Sequence, residues 1–192
     1  GSIGPEGRSL PDDLAQADMM NIGSAFLGGV IFNASNILLA AAVAISGLSL
    51  AFPVGVGLAL VLGVLINYFG AAKGEPIYIF LGVLLISTAI ILNGVAYKKA
   101  QAGTKNVSTK GIAIAIVAGI IMAFFYRFVA ASMDLNNFAN PAQGKLTPYT
   151  AVFIFAIGVF ISNFIFNTIA MKRPVDGAPI SISGYFKGKT ST

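Results

Sequence analysis

GSAFLGGVIFNASNILLAAAVAIS fills residues 23–46 without a single charged side chain. At 1.5 Å per residue this run makes a helix of about 36 Å, enough to cross a hydrocarbon core about 30 Å thick. Residues 50–69, 77–97, 111–133 and 149–171 read the same way, with Arg127 the one charge inside any of them. Between the runs lie turn formers and charges: 47–49, 70–76 with Lys73, Glu75 and Pro76, the polar 98–110, and 134–148. The sequence therefore predicts an all-α, polytopic membrane helix bundle of five transmembrane helices. Ahead of the first span, Pro11, Asp12 and Asp13 suit the first turn of a short surface helix.

Composition agrees with that reading, since 56% of residues are hydrophobic and only 10% charged, far from a soluble average. The net charge of +5 comes from Lys and Arg that form no stripe and interleave with no aromatics, so nucleic acid is not expected as a partner. Neither Cys nor His occurs. That removes disulfides, thiolate metal sites, the commonest metal ligand and the commonest general base. No metal, cofactor or enzymatic activity is expected, because a catalytic set cannot be assembled from what remains. Gly55-Val56-Gly57 is not a nucleotide loop, since Leu60 stands where the third glycine is needed. The glycosylation-like patterns at Asn33 and Asn106 fall in a span and in an expected cytoplasmic loop, and both read as chance matches.

Short loops rich in Lys and Arg stay cytoplasmic. Arg8, Lys73 and Lys145 fall on one side; Lys98, Lys99, Lys105, Lys110, Lys172, Arg173, Lys187 and Lys189 fall on the other. Three cations against eight predict an extracytoplasmic segment over 1–22, three spans over 23–97, a cytoplasmic linker over 98–110, two spans over 111–171 and a cytoplasmic tail over 172–192. The expected location is the plasma membrane, a bacterial inner membrane, crossed several times.

Lipid does not drive helices together, so small and polar residues mark the side of a span that meets protein or water. In the first span Ala25, Gly29, Asn33, Asn36 and Ala40 share a face. In the fifth, Tyr149, Ala156, Asn163, Asn167 and Ala170 do so, with Ile154, Ile161 and Ile165 opposite. The fourth aligns Gly119, Ala123, Tyr126 and Ala130, with Arg127 beside them. Each Asn reads either as interhelical glue, worth about 1 kcal/mol per bond, or as a contact for a polar solute. Pro53, followed by Gly55, Gly57 and Gly63, marks either an ordinary kink or irregular backbone lining a cavity. Arg127 lies about 9 Å of helix from the end of its span, so it either snorkels, forms a structural ion pair, or binds solute. The candidate solute-binding set is Asn33, Asn36, Pro53, Tyr126, Arg127, Asn163 and Asn167.

From about residue 12 to 172 the order of features resembles the ureide permease family of the drug/metabolite transporter superfamily, which is related to the glucose/ribose porters. The likeness is carried by Gly28-Gly29 and Asn36, by Gly47-Leu48-Ser49 leading to Pro53, and by Leu65-Ile66-Asn67-Tyr68-Phe69. Ala118-Gly119 and Pro148-Tyr149-Thr150-Ala151 complete it. The resemblance implies a ten-helix carrier of two inverted five-helix repeats, of which this chain covers helices three to seven. On that view the missing helices of the same carrier are partners, a homodimer is a further arrangement, and Gly1 begins inside an outer loop. It also implies a permease for small polar metabolites such as ureides, nucleobases or sugars, working by alternating access. Arg127 departs from the pattern, since plant relatives look to carry Pro there. The rival expectation is a non-transporting membrane scaffold or assembly subunit.

Overall fold

The computed structural model describes residues 7–71, 74–100, 108–175 and 179. They form six α-helices: α1 (Leu10–Gln16), α2 (Met19–Ser46), α3 (Leu48–Ala71), α4 (Pro76–Ala100), α5 (Thr109–Ser132) and α6 (Pro148–Lys172). Five of them, α2 to α6, are long and apolar enough to cross a membrane. The protein is an all-helical polytopic bundle, and among the described residues it has no named strand.

The helix ends follow local chemistry. Ser9, Ser108 and Thr147 accept from the backbone N–H of Asp12, Gly111 and Thr150, capping α1, α5 and α6, which satisfies donors a helix start leaves open. Between α2 and α3 only Gly47 stands outside a helix. Its φ of +81° is a conformation glycine adopts without a Cβ penalty, so the chain reverses across one residue. The break expected over 47–49 thus shrinks, and α2 begins four residues earlier than its apolar run, at Met19.

In the bundle α2 and α5 form the central pair, α3 packs on α5, α6 packs on α2, and α4 lies at the edge against α3. Small residues set these distances. A Cβ on Gly29 would collide with the Phe155 carbonyl of α6, and one on Gly158 with the Phe26 carbonyl of α2. The α2 and α6 backbones therefore touch directly, the close approach that drives helix association in lipid. Gly119 likewise meets the Gly55 carbonyl at the α3/α5 contact. In α4 no residue of the apolar span is buried, and the Tyr97 hydroxyl donates to the Ser46 carbonyl at 3.1 Å.

One end of the bundle is closed by α1 and the 134–147 connection. Asp13, expected on a surface helix, is fully buried. Its carboxylate accepts from Arg8 Nε at 2.9 Å, from the Thr147 amide at 2.8 Å and from the Thr147 hydroxyl at 2.9 Å. Arg8 also donates to the carbonyls of Pro141 and Lys145. Burial alone would raise the Asp13 pKa, but the Thr147 amide, the Thr150 and Thr147 hydroxyls and the Arg8 charge together hold it below its ordinary value. The carboxylate also faces the positive end of the α6 dipole. Gly144, at φ +84°, donates to Gln16 Oε1 and accepts from Asp18 N and Asn21 Nδ2.

Candidate functional site

α2 carries the chemistry, and its register decides what each Asn can do. Asn33 faces α6: its Nδ2 donates to Ser162 Oγ at 2.9 Å and to the Val159 carbonyl at 3.3 Å. Both sit next to the Gly29 and Gly158 contact, so this amide fastens two helices already in touch. Asn33 is interhelical glue. Asn36 lies three residues on and points into the angle between α5 and α6, which scarcely meet. It is half-buried, and its side chain has no hydrogen-bond partner among the described residues.

One turn away on the same face, Phe32 meets Phe125 of α5 at 5.0 Å between ring centroids and Phe155 of α6 at 5.4 Å; Phe125 and Phe155 are 6.0 Å apart. Three helices thus each send one ring into a single cluster, edge-on or tilted as aromatic quadrupoles prefer. The cluster blocks the α2/α5/α6 junction on the α1 side of Asn36. The Asn36 amide is only half-buried and spends no donor or acceptor on the protein among the described residues. Its N–H donors and carbonyl lone pairs are available to a small hydrogen-bonding molecule. Sequence reasoning missed the three Phe, because 15 Phe are spread through the chain and no spacing singles these out.

The other candidates lie apart. Tyr126 lines a cavity of about 240 Å³ between α3 and α5, together with Asn67 and Gly63; Asn67 spends its amide on the Gly63 carbonyl of its own helix. Arg127 is exposed and lays its guanidinium against Gly70 near the end of α3, the reach to the interface that snorkelling requires. Pro53 is half-buried in a continuous α3 and lines neither this cavity nor the larger one described below. Of the glycines that follow it, Gly55 and Gly63 face α5 and Gly57 faces Ile90 of α4.

In α6 the expected inward face is turned outward. Tyr149, Ala156, Asn163 and Asn167 are exposed, while Thr150, Ala151, Ile154, Gly158 and Ser162 are buried against the bundle. Gly158 and Ser162 decide the matter, because they admit the α2 backbone and Asn33, whereas Asn163 is exposed and Asn167 turns to the open end of the α2/α6 contact. Asn167 donates to Asn163 Oδ1 at 3.0 Å along that outer face. Comparison with protein-family models, curated proteins and solved structures found no match.

Proposed function

We propose that the chain is part of a secondary transporter for small polar metabolites, with Asn36 at its solute site. The observation that carries this reading is the half-buried Asn36 amide, one turn along α2 from the Phe32, Phe125 and Phe155 cluster and without a protein partner among the described residues. Carriers built from repeats bind solute near the bilayer midplane and expose it alternately as helices rock. Asn36 is near the middle of α2, and α5 and α6, which touch at few points besides the Phe125 and Phe155 rings, can part or close around it. Ureides, nucleobases and sugars all offer the donor and acceptor groups an amide pairs with.

The outward Asn163 and Asn167 face supports missing helices as neighbours, since it presents polar groups that a partner helix satisfies better than lipid. That same face suits an assembly subunit whose client helix docks there. Orientation follows the Lys and Arg distribution, with the 98–110 segment cytoplasmic and α1 outside, in the plasma membrane.

Purified protein in micelles, scanned for thermal stabilisation against allantoin, uracil, xanthine and glucose, tests the reading. Stabilisation of wild type by one class, lost in Asn36→Leu, supports a carrier. No stabilisation by any of the four in a well-folded preparation, and co-purification of a membrane partner released by Asn163→Leu/Asn167→Leu, would favour the assembly subunit.

A further inference from the structure

Between the second halves of α2 and α6, from Ala34 toward the Ser46 end of α2, lies a cavity of about 570 Å³. Ala34, Ala40, Ala44, Phe166 and Ile169 are among its walls, and among the described residues only Asn167 and Arg173 bring polar side chains to it. From Ala34 to Ala44 the helix rises about 15 Å, half of a core about 30 Å thick. The slot therefore runs from mid-membrane to one interface, the depth of a single leaflet.

Cations gather where it reaches that interface. Arg173 lines the cavity, Lys172 is exposed beside it, and Lys110 Nζ donates at 3.2 Å to the carbonyl of Val175, another lining residue. The described carboxylates Asp12, Asp13, Asp18, Glu75 and Asp134 lie toward the opposite end of the bundle; Asp176 is outside the described residues.

We infer that this groove is a binding site for an anionic phospholipid, one acyl chain lying in the slot and the phosphate meeting Arg173, Lys172 and Lys110. Basic pockets between membrane helices hold lipid headgroups, at about fivefold in affinity per cation near the surface. The apolar walls supply close contacts for the chain. A second copy of this protein is the poorer occupant, because copies inserted the same way would set two basic ends side by side. A polar solute finds almost nothing in the walls to bond with. The site stands on the membrane spans and the groove, and is independent of the solute role of Asn36.

Native mass spectrometry of the purified full chain, delipidated in detergent and titrated with dioleoyl phosphatidylglycerol or dioleoyl phosphatidylcholine, tests it. Wild type should retain the anionic lipid at least fivefold better than the zwitterionic one. Arg173→Ala should reduce retention of the anionic lipid about fivefold. Ala40→Trp and Ala44→Phe, which fill the slot at exposed positions and leave every charge in place, should each remove most of the bound anionic lipid. Glycerol 3-phosphate should not displace it, which separates a lipid from a bare phosphate. Full retention in both slot-filling variants, with normal helicity and elution, would show charge adsorption alone and overturn the site. Equal retention of the two lipids by wild type, or a dimer in place of bound lipid that Ala40→Trp dissociates, would overturn it as well.

Discussion

The carboxylate of Asp13 accepts both the backbone amide and the hydroxyl of Thr147, 134 residues further along the chain, at 2.8 and 2.9 Å. Thr147 is the N-cap of α6, so a residue of the short leading helix completes the start of the last span. Asp13→Ala should lower stability by about 3–5 kcal/mol, since it strands Arg8 and the Thr147 donors. Thermal or denaturant unfolding in detergent reads this directly.

The same carboxylate gives a pH dependence of definite sign. Its folded pKa lies below the ordinary value, about 3.9 for Asp, so its stabilisation is full above that value and vanishes as pH falls through the folded one. The difference in melting temperature between wild type and Asp13→Asn should stay constant from about pH 7 to about pH 5, then shrink toward about pH 3. A gap that widens on acidification would contradict the assignment.

Asn33 and Asn36 should separate cleanly on replacement by Leu. Asn33→Leu loses the bond to Ser162 and should cost about 1 kcal/mol of stability, with solute affinity unchanged in the folded fraction. Asn36→Leu removes an unpaired amide and should leave stability nearly constant. Solute affinity should fall by about 1–3 kcal/mol, roughly five- to 150-fold. Wild-type affinity in well-inserted Asn36→Leu would remove that residue from the site.

Gly158→Leu should cost about 1–3 kcal/mol, because the side chain must push apart backbones already in contact. Gly82 on α4 provides the control: a Cβ there meets nothing within 4 Å, so Gly82→Leu should change stability by less than about 0.5 kcal/mol.

Orientation is open to test on a background that already lacks Cys. Asn140→Cys should react with an impermeant maleimide applied to intact cells, and Asn106→Cys only after permeabilisation. Labelling of Asn106→Cys from outside would reverse the topology.

The spans were legible because a bilayer demands a long uncharged run, and that is a property of consecutive residues. The inner face of α2 was legible for Ala25, Gly29 and Asn33, which are buried where the period puts them. Reading α6 the same way failed, since the sequence shows two faces with small residues and a period cannot say which one meets α2. Gly158 and Ser162 form one of these faces and Asn163 and Asn167 the other, and the amides are the more conspicuous in the sequence. Asp13 was hidden for a different reason. Ser9-Leu10-Pro11-Asp12-Asp13 is a sufficient local recipe for a helix start, and nothing nearby points to Thr147. The Phe32, Phe125 and Phe155 cluster is equally non-local, with one ring from each of three helices.

The cap made by Arg8, Asp13, Gln16 and Asn21 also orders events during biosynthesis. Each of these side chains bonds to partners between Pro141 and Thr147, more than 120 residues downstream, which do not exist when α1 leaves the ribosome. At about 5–20 residues per second, Asp13 waits roughly 7–27 s for Thr147 to be made. Until then its charge and that of Arg8 remain in water, and α2 enters the membrane without its latch. Closure of the cap therefore reports that α5 and the connection up to Thr147 have been synthesised, so an accessible Asp13 is a mark of an unfinished chain.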